Sequence, residues 1–550
     1  MENNILLKNF LRWEKETPVN IFLRQPIQGA WQDWSFRKAG EEIRKIASGL
    51  QSLNLPARSN IAILSKNCAH WLMADLAIFM AGHVSVPLYA NITAPSIRQI
   101  LEHSGSAAIF VGKLDEYEQQ KQGIPASVKR IGIDFYGIDE DLKVSDWIAN
   151  EKQMQEIPEW KADELLTIMY TSGTTGTPKG VMFNSVAFHH TAEIIIDYLN
   201  RVSPLPHHPV LFSYLPLCHI AERNLTELLG CCTGATIAFV ESPDTFARDL
   251  AYIQPHLFFG VPRIWARFQE KTLEKIPQKK LNRLLRIPMM STIIKKTLKK
   301  KLGLSRALLK ATAAAPIPKS LLEWFDKIGI TIREIYGMTE QCGYSHANQE
   351  EVRFGTVGKS LPTVETKFSS DDEIQTRHKA LMMGYYKEPV LTAEVFTPEG
   401  FLKTGDCGKL DNDGFLTITG RVKDIFKTDK GKYVSPSPIE MRLLKNTDIE
   451  QVCVVGMGIP QPIALIVLSA VGKIKSKERI AKSLSASIAE VNDTVEDYEK
   501  LKKAVIMKSD WSIANGLMTP TMKVKRNEVE KIHLPKYPTW YRLEGVVVEE

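Results

Sequence analysis

Between residues 60 and 133 the chain alternates short apolar runs with longer helical stretches, and this alternation limits its fold more than any other feature. Residues 60–64 and 84–88 are rich in branched side chains and read as strands, with 67–81 between them as a helix. The pattern repeats through 107–111 and 131–133. Strands joined through helices pair in parallel, and a parallel sheet is covered on both faces. Ahead of it, 38–53 reads as a helix capped by Ser35, with Ile43, Ile46, Ala47 and Leu50 on its buried face. A second series comprises a helix 185–199 starting at Asn184 or Ser185 and strands 211–215, 235–240, 257–261 and 330–335. From 364 to 418 the strands shorten and Gly384, Gly400, Gly405, Gly408 and Gly414 mark turns, which predicts a compact β-rich section. Beyond about Arg421, strands 452–456 and 463–469 and a helix 477–492 form a last α/β portion.

The apolar run Leu165-Leu166-Thr167-Ile168-Met169 reads as a buried strand, and Tyr170-Thr171-Ser172-Gly173-Thr174-Thr175-Gly176-Thr177-Pro178-Lys179-Gly180 follows it. Glycines let a backbone approach a ligand closely, hydroxyls and N–H groups donate to phosphate oxygens, and Lys179 adds a mobile cation. The string differs from the G-x-x-x-x-G-K-[ST] loop, because Gly180 stands where that loop keeps a hydroxyl for Mg²⁺. Without a ligand it would be a polar, glycine-rich turn.

At 550 residues the chain has room for several domains. Seven cysteines (Cys68, Cys218, Cys231, Cys232, Cys342, Cys407, Cys453) are dispersed without metal-ligand spacing, which suits a reducing cytoplasm. Residues 1–17 lack signal-peptide form, and no uncharged run is long enough to span a bilayer. The net charge of +7 is mild, and no nucleic-acid partner is expected from it. Much of the positive charge sits in 263–310, where fifteen Lys and Arg face only Glu270 and Glu274 amid interleaved Leu, Ile and Met. Pro288 is expected to break this stretch into two short helices. Two readings stand: a solvated basic face packed by its apolar side, or a surface peripheral to an anionic membrane.

Other stretches carry chemistry. In Glu334-Ile335-Tyr336-Gly337-Met338-Thr339-Glu340, after a strand expected at 328–332, Tyr336 offers a flat face for a purine and Glu340 a hard oxygen for Mg²⁺. In Lys403-Thr404-Gly405-Asp406 a carboxylate on a tight turn can accept from two ribose hydroxyls, or can simply make the turn. Arg421 and Lys423 read as exposed cations at a domain boundary. Leu215-Pro216-Leu217-Cys218-His219-Ile220-Ala221-Glu222-Arg223 places a histidine beside apolar residues, and Lys523 is one of several lysines near the end of the chain.

Taken in order, these stretches resemble the adenylate-forming superfamily of acyl-CoA synthetases, luciferases and peptide-synthetase adenylation domains. The resemblance runs from about Leu11 to Lys531. It implies that Thr171, Ser172, Gly173, Thr174, Thr175, Gly176, Thr177 and Lys179 grip ATP phosphates. Tyr336 and Gly337 would border adenine, beside the small-residue strand of Ala314, Ala315 and Pro316. Thr339 would approach the α-phosphate, Glu340 would hold Mg²⁺, and Asp406 and Arg421 would bind ribose and phosphate. Lys423 falls at the family's hinge, and Gly431, Lys432 and Tyr433 match the loop lining the thiol tunnel. Leu-Pro-Leu-x-His-x-x-Glu-Arg at 215–223 and Thr-Pro-Thr-x-Lys at 519–523 resemble long-chain acyl-CoA synthetases in particular. His219 would then lie by the carboxylate, and Lys523 would be the catalytic lysine; most of the superfamily has Gly-Lys at 522–523. Phe258 to Arg263 is also typical of the long-chain group and would border the acyl tunnel. One departure is Asp371-Asp372-Glu373-Ile374, where relatives usually have Gly before Glu-Ile; this turn is expected to stay clear of the chemistry.

The resemblance implies a multidomain α/β fold. A large N-terminal domain of two αβ sheets and a small β-barrel (1–420) would precede a smaller, mobile α+β domain (421–550). The implied reaction is ATP-dependent formation of a fatty acyl-AMP with loss of pyrophosphate, then transfer to coenzyme A. Two alternatives change the acceptor to an acyl carrier protein docked on 263–310, or make the chain a silent binding protein on this fold.

Overall fold

The strands expected at 60–64 and 84–88 occupy those residues and lie at the centre of an eight-stranded sheet. The computed structural model describes residues 4–172 and 178–550. From one edge the sheet runs Gly384–Tyr385, Pro178–Asn184, Leu165–Ser172, Val84–Leu88, Asn60–Leu64, Ala108–Val111, Lys129–Gly132 and Leu142–Lys143. All neighbours from Leu165–Ser172 onward are parallel, as helical crossovers require, and the first two pairings are antiparallel. Helix Ala69–Met80 is buried on every side because it packs between this sheet, the helix Phe36–Ser52 and the strand Ile21–Ile27. Such a helix must be apolar all round, and His70 and Asp75 are its only strongly polar members.

A four-stranded sheet runs Val210–Ser213, Thr236–Phe239, Ile21–Ile27, Ala30–Ser35, and a five-stranded one runs Leu257–Phe259, Leu309–Thr312, Arg333–Tyr336, His346–Ala347, Lys359–Ser360. They meet at His256, whose N–H donates to Val210 O (2.9 Å) while its Nδ1 accepts from Val210 N (2.9 Å). A separate antiparallel sheet of Glu365–Phe368, Glu373–Arg377, Leu402–Leu410 and Leu416–Arg421 forms the β-rich section. The chain then builds Ile449–Val455, Ile463–Leu468, Lys503–Ile506 and Val547–Glu549 into a fifth sheet, with helix Lys477–Asn492 capped by Ser476. Apolar residues from Phe426 to Val548 pack into two clusters of their own on this sheet. The fold is thus mixed α/β and multidomain.

One buried ionic cluster ties the layers together. Arg223, fully buried, donates to Asp75 of the central helix and to Thr167 Oγ1 (3.0 Å), and forms an ion pair with Glu227 (2.9 Å). It lies on a π-helical turn, Arg223–Leu228, just after His219. Burial first, and then the charge of Asp75, push the Glu227 carboxyl well above the ordinary range against the pull of Arg223.

Several sequence expectations are corrected. Residues 21–35 form a hairpin that periodicity did not show, since Arg24, Gln25, Pro26, Gln32 and Asp33 break any apolar run. The basic segment makes three helices, Pro262–Lys275, Gln278–Leu285 and Pro288–Lys301: Pro277 caps the second as Pro288 starts the third. The strand expected at 328–332 is instead Arg333–Tyr336, so Tyr336 ends the strand. Among the described residues no helix is long and apolar enough to cross a membrane.

Candidate active site

The carboxyl ends of parallel strands bring the expected residues together, as in open α/β sheets generally. Arg333–Tyr336 ends in Tyr336, and its parallel neighbour Leu309–Thr312 runs out into 313–316. Gly337 must be glycine, because a Cβ there would lie 2.5 Å from Gly343 O. Ala314, Ala315 and Pro316, expected as a strand, form the turn after it. Ala314 takes a left-handed φ of 70° and is half-buried, and Ala315 and Pro316 are exposed. A non-glycine residue held there is strained, which is common beside ligands.

Asp406 joins three elements. Tyr336 Oη donates to its Oδ2 (2.8 Å), and Arg421 Nε donates to its Oδ1 (2.8 Å) from the partnered position on the next strand. Asp406 therefore stands on a strand, Leu402–Leu410, rather than on the tight turn expected. Gly405 (φ 72°) kinks that strand, and Thr404 Oγ1 accepts from Asp406 N (3.1 Å). Burial chiefly, and the negative Asp406, push the Tyr336 hydroxyl well above its ordinary range. Burial works most strongly against the charge on Arg421, but Asp406, Asp424 and Tyr336 together outweigh it and raise its pKa.

Sequence reasoning missed two supports. Glu373 Oε1 accepts from Gly405 N (2.9 Å), so the 371–374 turn, expected to stay clear of the chemistry, braces Asp406 at one remove. Asp372 in that turn has φ 59°, which explains why glycine suits the position. Tyr385 is the second: its Oη donates to Glu340 Oε1 (2.8 Å), and its ring lies 5.2 Å below Lys179 Nζ. Gly384 followed by two aromatics was the available signal.

Glu340 stands on the short turn Thr339–Gln341, and Met382 N donates to its carbonyl (2.9 Å). Thr339 opens the same turn and is half-buried. Among the described residues nothing donates to the second oxygen of Glu340 and no group of three or more ligating side chains gathers. A lone braced carboxylate fits Mg²⁺, which keeps several waters and takes phosphate oxygens. Thr171 pairs with Lys179 across the antiparallel strands. Of the remaining loop residues, Gly173, Thr174, Thr175, Gly176 and Thr177 lie outside the described residues, and Ser172 is described in its backbone only, as the strand partner of Pro178.

His219 reaches the cleft from the adjoining sheet. Asn67, after strand Asn60–Leu64, donates to Ser213 Oγ (2.7 Å) and accepts from Leu217 N (3.1 Å), which fixes the 213–219 run. His219 Nδ1 accepts from Ala221 N (3.2 Å), so any ring proton sits on Nε2. Burial, then the nearby Lys523, lowers its pKa to about 4, and the ring is neutral at neutral pH.

Lys523 arrives on a hairpin tip. Thr519 N donates to Lys523 O (2.8 Å), Lys523 N to Thr519 Oγ1 (3.0 Å), and Lys525 N to Leu517 O (2.8 Å). Asn91 Nδ2, in the turn after strand Val84–Leu88, donates to Pro520 O (3.1 Å), a bond from beside the first sheet to this tip. Met522 has φ 62°, a conformation that glycine adopts without strain. The lysine is open to the cleft yet enclosed by protein on several sides. That desolvation, and then Arg421, lower its pKa while Asp406 opposes them.

Gly431, Lys432 and Tyr433 are not brought to this cleft. They are exposed; Lys432 covers the ring of Tyr498, and the ring of Tyr433 is covered by Lys427. Lys423 is exposed in the short turn Val422–Asp424 between the last strand of the β section and the C-terminal sheet.

A family model described as an AMP-binding enzyme matches residues 10–386, and the AMP-binding enzyme C-terminal domain matches 423–536. The chain belongs to the AMP-binding enzyme family. Within it, the chain is an AMP-forming acid–thiol ligase. It is 26% identical to the long-chain-fatty-acid–CoA ligase FadD15 of Mycobacterium bovis, over 94% of this chain and 93% of that one. It is 27% identical to the long-chain-fatty-acid–CoA ligase ACSBG2 of Xenopus laevis, over 94% and 81%. Among solved structures, the adenylation domain of carboxylic acid reductase from Segniliparus rugosus, in complex with AMP and a carboxylic acid, superposes with a TM-score of 0.80 at 22% identity, covering 98% of this chain and 94% of that one.

Proposed function

We propose that the chain activates a long-chain fatty acid with ATP as acyl-AMP, releases pyrophosphate, and transfers the acyl group to coenzyme A. The observation that carries this reading is the placement of Lys523 within electrostatic range of Asp406, Arg421 and His219. The names of the curated relatives support the long-chain acid and the thiol acceptor.

Tyr336 would lie against adenine, and Asp406 and Arg421 would hold ribose and phosphate. Lys523 would bridge the carboxylate and the α-phosphate, orienting attack and offsetting the charge that builds there. Neutral His219 would present Nε2–H beside the acid without abstracting a proton. Glu340, Thr339 and Lys179 would face the phosphates; Mg²⁺ on Glu340 would supply Lewis-acid neutralisation of the leaving pyrophosphate. Residues 421–550 would then turn as a domain about Lys423, withdrawing Lys523 and delivering Gly431 to Tyr433 for the thiol step. The exposed position of those three residues here suits the first half-reaction. Seven cysteines without a disulfide suit a reducing cytoplasm.

Pyrophosphate release should be measured over carboxylates from acetate to long-chain fatty acids, with and without coenzyme A. Turnover that peaks with long chains and cycles only with coenzyme A is expected. A single burst that coenzyme A does not relieve, but an acyl carrier protein does, would replace the acceptor; silence with every acid would leave only a binding role.

A further inference from the structure

The three basic helices divide their apolar residues between two sides. Leu281, Ile294 and Leu298 are buried against the domain, whereas Ile287, Met289 and Ile293 are 52%, 75% and 52% exposed. Met289 and Ile293 lie one turn apart on the last helix, and Ile287 is at the elbow where that helix begins. Exposed Lys296 and Lys300 continue the same face, and exposed Lys279, Arg283 and Arg286 line the preceding helix at matching helical spacing. Among the described residues, none of these cations meets a carboxylate; the segment's ion pairs are Arg263 with Glu450 and Lys271 with Glu274. Scattered apolar side chains on a surface are ordinary. An apolar elbow flanked by unpaired cations has a specific complement, an anionic layer over an apolar interior.

We propose that this elbow docks the enzyme on an anionic lipid bilayer, with Ile287, Met289 and Ile293 entering between the headgroups and the flanking cations resting on their phosphates. A nucleic acid or an acidic protein would match the charge but give nothing to the apolar elbow. The proposal does not depend on which acid the enzyme activates, although a fatty acid would already reside in that bilayer.

The full chain should be sedimented with phosphatidylcholine vesicles made with and without phosphatidylserine. Retention by the phosphatidylserine vesicles, released by salt, is expected. Replacing all three apolar residues (Ile287→Ser, Met289→Ser, Ile293→Ser) should weaken retention at least about tenfold, by the apolar contribution to interfacial binding. Neutralising Lys279, Arg283, Lys296 and Lys300 to Gln should abolish the preference for phosphatidylserine. All these side chains face solvent, so an unchanged thermal midpoint will show that the fold stands. Equal retention of the apolar variant and the parent, or equal binding to both vesicle types, would overturn the proposal. So would competition by an acidic carrier protein or a nucleic acid that the apolar substitutions leave unaltered.

Discussion

The two faces of the cleft are built differently. The face proposed for the nucleotide is made of side chains locked on strands: Asp406 is held by Tyr336 and Arg421, and its backbone by Thr404 and Glu373 through Gly405. The face carrying Lys523 is a hairpin tip with a strained Met522, held among the described residues by a hydrogen bond from Asn91 in the turn after strand Val84–Leu88. One side is preorganised and the other is deliverable. The two-step reaction proposed above would use that asymmetry, because the nucleotide would stay while the lysine gave way to a thiol.

The largest break in this comparison should come from Lys523→Ala. Acyl-adenylate formation should fall about 10²–10³-fold, the order seen when one charge-stabilising group is removed. Thioester formation from supplied acyl-AMP should hardly change, and equal loss of both steps would refute the deliverable-lysine reading. The same lysine sets the alkaline limb. Its pKa is lowered, so the cation, and with it the adenylation rate, is lost as pH rises through a value below that of an ordinary lysine. His219, with a pKa of about 4, should add no limb near neutrality. Adenylation rates over pH, with His219→Gln as control, check both signs.

On the locked face, Asp406→Ala should raise the KM for ATP about tenfold or more, since it removes a charged hydrogen bond and strips Arg421 of its counter-charge. An unchanged KM would mean that the locked face does not grip the nucleotide. Tyr385→Phe is a finer probe: losing the brace on Glu340 should raise the Mg²⁺ requirement about tenfold and leave the KM for the acid alone. The smallest effect belongs to Met522→Gly. Relief of the left-handed strain, offset by added freedom in the unfolded chain, should shift stability by about 1 kcal/mol or less. A clear destabilisation would show that the Met522 side chain supports the tip.

Much of the frame was legible because local and global signals agree. The strands 60–64 and 84–88, the cap at Ser35 and the helix 477–492 each pair an apolar period with a suitable start or stop. The hairpin 21–35 was hidden because its polar residues break the apolar run and find partners only in the fold: Arg24 pairs with Asp33 across the hairpin, and Gln25 Oε1 accepts from Ala69 N. Motif order identified Asp406, Tyr336, Glu340 and Lys523 as a set. It could not show that Asp406 binds Tyr336 directly, or that Tyr385 and Glu373 brace the set, since those contacts depend on how the strands register. Left-handed Met522 and Asp372 were visible only as departures from glycine.

The buried cluster around Arg223 has a calorimetric consequence. Glu227 is pushed well above the ordinary range, and burial also raises Glu222 and Glu334 to about 8 from 4.5. At neutral pH the native chain therefore holds protons that the unfolded chain gives up. By linkage, these carboxyls favour the fold most below their unfolded pKa and progressively less as pH climbs toward 8. Unfolding near neutrality thus discharges acid into the medium, and the heat it absorbs will vary with the ionisation enthalpy of the buffer that receives it.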